Sequence, residues 1–270
     1  MLELRDATKT FLPGTANEVR ALRGVSLRIE AGEFVVVIGT NGSGKSTLLN
    51  AVAGMFVLDE GRVELAGHDV TRWAEHRRAK LIGRVFQNPF HGTAPSLTIL
   101  ENLALALRRG QTRGLGWAVS RRLHDELRER VRQMSLNLED RLDTPIGSLS
   151  GGQRQSLTLL MASLVKPQLL LLDEHTAALD PKSADQVIRL TEQIVRRDRL
   201  TTLMVTHSMH QAANLGDRLV MMSNGQVVCD IAGSEKLSLR PEDLLARFED
   251  IRRAELLDET AADMLLKSYV

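Results

Sequence analysis

A glycine-rich loop between a predicted strand and a predicted helix constrains this chain more than any other part of its sequence. The apolar run Phe34–Ile38 precedes the loop, and its β-branched pattern predicts a strand buried on both faces. A helix is predicted from Lys45 towards Val52. The loop and the start of this helix comprise Gly39, Thr40, Asn41, Gly42, Ser43, Gly44, Lys45, Ser46 and Thr47. This spacing after a strand predicts a phosphate-binding loop, and the alternative is a glycine turn without a ligand.

The donors in this loop indicate how it would hold a nucleotide. Backbone N–H groups from Asn41 to Ser46 are expected to surround the β-phosphate. Lys45 is expected to reach the β and γ oxygens, and the Ser46 hydroxyl is expected to bind Mg²⁺.

Two acids follow another apolar run far along the chain. Asp173 and Glu174 come directly after Leu169–Leu172, which predicts a buried strand. Acids in this position lie at the carboxyl edge of a parallel sheet, where open α/β folds bind their ligands. Taken alone, the pattern also fits a strand-to-loop transition with two solvated acids.

A second helix start with adjacent glycines lies between these motifs, in the segment Leu149–Gln153. The run from Gln153 to Leu164 predicts a helix, so Ser150, Gly151 and Gly152 lie at its amino end. Free N–H groups and the positive end of the helix dipole favour a phosphate there. A chain with two such helix starts either binds two nucleotides or shares each one with a partner.

The remaining pattern alternates strands and helices. Further strands are predicted at Leu2–Lys9, Ala21–Ile29, Gly61–Leu65, Arg84–Phe86, Thr202–Val205, Arg218–Met222 and Gln226–Ile231. Thr98 and Glu101 have capping-box spacing and open a predicted helix through Leu107. Helical pattern then continues to about Ser163, and another helix is predicted near Ala184–Arg197. This alternation predicts a parallel α/β core.

Composition limits the possible partners and locations. The net charge of +1 gives no overall field for nucleic acid, and the sole cysteine, Cys229, excludes an internal disulfide. The first residues lack the pattern of a signal peptide, and no apolar run approaches the roughly 20 residues that span a bilayer. If the protein moves something across a membrane, another chain is expected to supply the path.

Together, the glycine loop, the Leu149–Gln153 segment and the Asp173–Glu174 pair resemble the ATP-binding cassette (ABC) ATPases over residues 1–235. The resemblance implies an α/β P-loop NTPase (RecA-like) parallel core, an antiparallel β subdomain and a helical subdomain inserted at about residues 88–163. Residues 236–270 would form a C-terminal helical tail, with Leu244, Leu245, Phe248 and Ile251 at helical spacing. The family uses ATP and Mg²⁺ and sandwiches two ATP molecules between two cassettes.

The resemblance also implies roles for single residues. Asp173 would hold Mg²⁺, Glu174 would be the general base, and Gln87 would touch both the metal and the attacking water. His207 would contact the γ-phosphate, Phe11 would stack on adenine, and Ser150 to Gln153 would face the nucleotide of the other copy. The alternatives are a plain surface or core role for His207 and a plain core role for Phe11.

One departure from the family pattern narrows the resemblance. His175 follows Glu174, where the family commonly has proline, and with His91–Pro95 it resembles a bacterial group linked to uptake of small molecules, some of them aromatic amino acids. The expected function is the ATPase subunit of an importer, at the cytoplasmic face of the membrane, with a separate permease and a substrate-binding protein. The alternatives are an ABC ATPase without a transport role and the ATPase of an exporter.

Overall fold

The computed structural model describes residues 1–111, 120–251 and 253. The strands are β1 (Leu2–Phe11), β2 (Val19–Ile29), β3 (Phe34–Gly39), β4 (Glu60–Leu65), β5 (His68–Asp69), β6 (Ile82–Val85), β7 (Leu169–Asp173), β8 (Thr202–Val205), β9 (Arg218–Ser223) and β10 (Gln226–Ala232). The helices are α1 (Lys45–Ala53), α2 (Glu75–Arg78), α3 (Ile99–Leu107), α4 (Arg121–Arg132), α5 (Gly151–Leu164), α6 (Pro181–Asp198), α7 (Met209–Asn214), α8 (Gly233–Ser238) and α9 (residues 241–251).

The strands form two sheets. Four of them make an antiparallel sheet in the order β2-β1-β4-β5, and six make a second sheet in the order β10-β9-β3-β8-β7-β6. Within the second sheet every pairing is parallel except that of β9 with β10. The predicted fold class, a P-loop α/β core with an antiparallel β subdomain, is therefore confirmed.

The antiparallel β10 is a departure from an all-parallel core, and its cause is local. Asn224 and Gly225 join β9 to β10, and both have positive φ, at 47° and 76°. An Asn-Gly pair in this conformation makes the tight turn that matches the twist of a hairpin. The chain consequently reverses at the edge of the sheet instead of crossing over it.

The central strand β3 separates two hydrophobic cores. Because side chains alternate along a strand, Val35 and Val37 face the core that contains α1 and the antiparallel sheet, while Val36 and Ile38 face the core beneath α5 and α6. Every residue of β3 is buried, as its continuous apolar pattern predicted. The glycine loop thus begins at the end of a strand that is buried between the two cores.

The segment between β6 and β7 contains α3, α4 and α5. Helix α3 has the predicted capping box, with the Thr98 hydroxyl accepting from the Glu101 N–H and the Glu101 carboxylate accepting from the Thr98 N–H. Residues 112–119 of the predicted insert lie outside the described residues. Its boundaries at about 88 and 163 stay a prediction.

The predicted tail contributes to the main core where the structure describes it. Leu244 of α9 is fully buried, and Phe248 and Ile251 pack against the core, whereas Leu245 is half exposed. Residues 254–270 lie outside the described part of the chain. Among the residues that the structure does describe, no helix combines the length and apolar character needed to span a bilayer.

The buried Arg78 holds the end of helix α1 in place. Its guanidinium donates to the carbonyl oxygens of Ala51 and Val52 at 2.7 and 2.8 Å, and to those of Thr71 and Trp73. Positive charge at a helix carboxyl end offsets its dipole, although burial lowers the pKa of Arg78 to about 10. The helix that follows the glycine loop is therefore anchored at its far end.

Candidate functional site

The glycine loop has a backbone that requires glycine at two positions. A Cβ on Gly39 would lie 2.2 Å from the Met222 carbonyl oxygen, and one on Gly44 would lie 2.4 Å from the Ala21 carbonyl oxygen. Gly44 also has φ at 96°, a conformation that side chains disfavour, and it precedes the first residue of α1. The close packing explains these two glycines without a ligand, while Gly42, with φ at 81°, has open space around it.

Lys45 lies over the loop and is almost fully buried. Its ammonium group donates to the carbonyl oxygens of Gly39 and Thr40 at 3.0 and 2.9 Å. Burial lowers the pKa of Lys45, and the nearby carboxylates of Glu174 and Asp173 oppose that effect. A buried cation bonded only to neutral carbonyl groups is suited to exchange them for an anionic phosphate.

A cavity of about 340 Å³ adjoins the loop and is large enough for part of a nucleotide. Its lining residues are Phe11, Val19, Ala21, Gly42, Gly44, Lys45, Ser46 and Thr47. The Phe11 ring packs edge-on against Phe56 at 5.3 Å and remains partly exposed to this cavity. Both interpretations of Phe11 therefore have a structural basis: it packs against another ring, and it also faces the cavity.

The three predicted catalytic residues meet at Glu174. The Gln87 amide donates to one carboxylate oxygen at 3.2 Å, and the His207 Nε2 lies 2.5 Å from the other. Glu174 has a positive φ of 44°, and its N–H donates to the Val205 carbonyl oxygen. Three segments that are distant in sequence thus converge on one largely buried carboxylate.

Asp173 has a partner that the sequence analysis did not identify. Arg84 of β6 donates to the Asp173 carboxylate at 3.2 Å, and both side chains are largely buried. The signal was present in the sequence, because an arginine stands in a strand that is otherwise apolar. A charge in such a position needs a counter-charge or several hydrogen bonds.

His175 lies in the core and faces helix α6. It is 1% exposed, and its Nε2 is 3.0 Å from the Thr191 hydroxyl oxygen. That hydroxyl donates its one hydrogen to the Val187 carbonyl oxygen, so the His175 Nε2 must be the donor. Burial lowers the pKa of His175 to about 4, and the ring is therefore neutral near pH 7.

The Leu149–Gln153 segment forms the amino end of α5, as predicted. Ser150 caps the helix by accepting from the Gln153 N–H, and the Gln153 side chain accepts from the Ser150 N–H. None of these residues lines the cavity at the glycine loop. Gly151 instead lines a separate cavity with Gln87. Within the described structure, the amino ends of α1 and α5, which are the two predicted phosphate-binding helix starts, therefore line different cavities.

Two neighbouring side chains that sequence reasoning missed hold this helix start in place. Arg154 is buried and donates to the carbonyl oxygens of Ile146, Gly147 and Leu149. Gln155 donates to the Phe86 carbonyl oxygen at 2.9 Å, which joins α5 to the segment that carries Gln87. Their polar character within an otherwise buried helix was the available signal.

The predicted metal ligands provide oxygen atoms of three kinds. Ser46 offers a hydroxyl group, Gln87 an amide oxygen and Asp173 a carboxylate. Among the described residues, no three or more histidine, cysteine, aspartate or glutamate side chains form a metal cluster. Such a donor set fits Mg²⁺, which proteins commonly bind through one or two carboxylates together with substrate phosphates.

Comparisons with known proteins agree with this geometry. Residues 22–177 match the family described as ABC transporter. The chain is 45% identical over 250 residues to a tyrosine transport ATP-binding protein of Clostridioides difficile, covering 92% of this chain and 99% of that protein. It is 38% identical to a lipoprotein-releasing system ATP-binding protein of Ruegeria pomeroyi, covering 84% of this chain and 96% of the relative.

A solved structure extends the likeness to three dimensions. A dimeric ATP-binding cassette in a post-hydrolysis state, bound to ADP and Pi, aligns with a TM-score of 0.73 and 31% identity. The alignment covers 86% of this chain and 98% of that one. The chain belongs to the ABC transporter family, and it is an ATP-binding ATPase subunit of that family.

The buried His175 predicts a pH-dependent stability. Because the folded state keeps the ring neutral until about pH 4, while the unfolded chain protonates it from about pH 6.5, acid favours unfolding within that window. This group should remove about 2 kcal/mol from the free energy of unfolding between pH 7 and pH 5. His175→Gln keeps a donor for Thr191 but does not titrate, so its stability should fall less steeply.

Urea denaturation of both proteins at several pH values measures this difference. His76→Gln, at an exposed histidine of α2, is the matched control and should follow the wild-type slope. Parallel curves for the wild type and His175→Gln would contradict the burial argument.

Proposed function

We propose that this protein is the ATPase subunit that powers uptake of a small molecule through a separate membrane permease, working as a homodimer. The observation that carries the catalytic part is the meeting of Gln87 and His207 on the Glu174 carboxylate, near Lys45. A carboxylate that is largely withdrawn from water and held from two sides is suited to orient an attacking water molecule.

The proposed chemistry is the hydrolysis of the terminal phosphate bond of ATP. A water oxygen attacks the γ-phosphorus, the bond to the oxygen that bridges the β and γ phosphorus atoms breaks, and ADP and phosphate leave. Lys45 and the loop N–H groups hold the phosphate oxygens, while Glu174 accepts a proton of the water and His207 contacts the γ-phosphate. When bound, Mg²⁺ would neutralise phosphate charge, with Ser46, Asp173 and Gln87 as its proposed ligands.

The position of the α5 helix start supports a shared site. Ser150 and Gly151 lie outside the cavity that adjoins Lys45, although their exposed position suits contact with a phosphate. In the proposed dimer, this helix start meets the γ-phosphate of the ATP held by the loop of the other copy. The dimeric cassette that this chain resembles supports the arrangement.

Import is the direction favoured by a 33% identical relative, a methionine import ATP-binding protein of Salmonella typhimurium. The 45% identical relative is a tyrosine transport ATP-binding protein, which favours an amino acid as the transported molecule. An aromatic amino acid or similar small molecule is the proposed substrate class, delivered by a separate binding protein. The protein would work at the cytoplasmic face of the membrane. The second candidate function is the ATPase subunit of a transporter that does not import, because another relative belongs to a lipoprotein-releasing system.

Purification from detergent-solubilised membranes tests the transport role. An associated polytopic permease that, with this subunit and a binding protein, gives ATP-dependent uptake of tyrosine or tryptophan into vesicles would support the proposal. ATP-dependent release of a lipoprotein from such membranes would favour the second candidate. An ATPase recovered without any membrane protein would contradict both.

Replacing the proposed base should separate ATP binding from hydrolysis. Glu174→Gln keeps the size and shape of the side chain, but its neutral amide cannot accept the proton. Turnover should fall by roughly 10²–10⁴ while ATP still binds, so an ATP-bound dimer should accumulate. Steady-state ATPase assays and size-exclusion chromatography measure the two effects.

Glu129→Gln, on the exposed surface of α4, is the matched control and should hydrolyse ATP at the wild-type rate. Turnover within a few-fold of wild type in Glu174→Gln would remove Glu174 from the proposed role.

Mixing two defective variants tests the shared site. Lys45→Ala removes the phosphate-facing cation, and its ATP affinity should fall. Gly151→Asp places a carboxylate against the γ-phosphate, so it should bind ATP but fail to close. Gly151 suits this change because a Cβ there meets only the flexible Leu179 side chain at 3.3 Å. A heterodimer of the two variants contains one intact site, so ATPase assays of the mixture should show more turnover than either variant alone.

Gly151→Ala provides the control, because it adds the Cβ without the charge and should retain most activity. A Gly151→Asp protein that hydrolyses ATP at the normal rate would contradict the shared-site arrangement.

A further inference from the structure

We propose that Arg84 is a positioning residue for the metal site, an inference that rests on the proposed role of Asp173 in Mg²⁺ binding. Its guanidinium group ties the Asp173 carboxylate to helix α1, the helix that carries Ser46. Arg84 thereby sets the separation of two proposed metal ligands without touching the metal.

The contacts of one nitrogen atom carry this inference. The Nη2 of Arg84 donates to the Asn50 side-chain oxygen at 2.6 Å and to the Asp173 Oδ2 at 3.2 Å. This nitrogen has two hydrogens, so both are used, one towards α1 and one towards the end of β7. The two elements are therefore joined through a single planar group.

The place of Asn50 makes this connection relevant to Ser46. Asn50 follows Ser46 by four residues in α1, and residues four apart lie on the same face of a helix, one turn from each other. A tether at Asn50 consequently restrains the turn of the helix that carries the Ser46 hydroxyl. At its other end the tether uses the Oδ2 of Asp173, and within the described part of the chain no hydrogen bond is recorded to the Oδ1, which can accept another partner.

The rest of the Arg84 side chain is packed against a ring and a sulfur atom, and its buried Nε has no hydrogen-bond partner among the described residues. Its guanidinium lies 4.6 Å from the centre of the Phe86 ring, and its Nη1 is 3.1 Å from the Met55 sulfur. Only 11% of the side chain is exposed. The rigid guanidinium plane can meet a ring, an amide and a carboxylate at once, which a flexible ammonium group does less well.

A cation beside a metal ligand has two opposite effects on metal affinity. Its charge weakens the attraction of the carboxylate for Mg²⁺, whereas its hydrogen bond fixes the carboxylate for binding. We expect the hydrogen bond to have the larger effect on metal affinity, because Arg84 joins both of the elements that carry proposed metal ligands. Loss of such outer partners costs about tenfold to a hundredfold in metal affinity.

Binding of a non-hydrolysable ATP analogue, measured by calorimetry in EDTA and in excess Mg²⁺, tests the proposal without activity. The affinity gained on adding Mg²⁺ reports the metal site, and the affinity in EDTA reports the glycine loop. Arg84→Met should lower the Mg²⁺-dependent gain about tenfold or more and leave the affinity in EDTA nearly unchanged. Asn50→Ala should also lower the gain. Arg84→Lys, which keeps a donor but lacks the guanidinium plane, should restore only part of the gain.

Arg218→Met is the matched control, because Arg218 also pairs with an aspartate, Asp230, at a more exposed position away from the glycine loop. Its Mg²⁺-dependent gain should equal that of the wild type. If Arg84→Met gains as much affinity from Mg²⁺ as the wild type does, the proposal is overturned. A larger gain would overturn it too, because the repulsion between Arg84 and Mg²⁺ would then be the stronger effect. If Arg84→Met lowers the affinity in EDTA as much as the affinity in Mg²⁺, the proposal is overturned as well, because the effect of the substitution would not be specific to the metal site.

Asp173→Asn separates this inference from the proposed function. If Asp173→Asn lowers the gain but Arg84→Met does not, only the role of Arg84 fails. If Asp173→Asn leaves the gain unchanged, the proposed metal role of Asp173 fails, and the inference about Arg84 fails with it.

Discussion

The parallel pairing of β6, β7, β8 and β3 is the constraint on which the site depends. In a parallel sheet the carboxyl ends of neighbouring strands share one edge, so the residues after each strand become neighbours in space. The glycine loop follows β3, Glu174 follows β7, His207 follows β8 and Gln87 follows β6. The parallel register of the backbone is thus sufficient to bring these four segments to one edge of the sheet.

The second constraint on the site is that several of the charged groups at this edge of the sheet are buried. Lys45, Asp173, Glu174 and Arg84 are all wholly or largely withdrawn from water, and an isolated buried charge is costly. Each is therefore stabilised by an opposite charge or by polar groups that hydrogen-bond to it, and the set contains both signs. A bound polyanion or divalent cation would add further charge beside this set and would therefore alter the electrostatic energy of its members.

Local patterns were the part of the structure that could be predicted. The glycine loop, the capping box at Thr98 and the end of the Leu169–Leu172 run at two acids each depend on interactions among residues that are close in sequence. Several predicted ends of helices and strands differ from the observed ends by one to three residues, because capping decides the last turn of a helix and pairing decides the last residues of a strand. The short α2, α7 and α8 carried too few residues for a periodic pattern.

Local spacing in the sequence was enough to predict which groups would perform phosphate chemistry and on which kind of element each would lie. The partners of these groups depend on the tertiary structure. Arg84 and Asp173 are 89 residues apart, and Gln87 and Glu174 are 87 apart. The destination of His175, inside the core and against Thr191, was likewise decided by folding. No local pattern encodes such pairs, because they arise from strand order and from the need of each buried polar group for a partner.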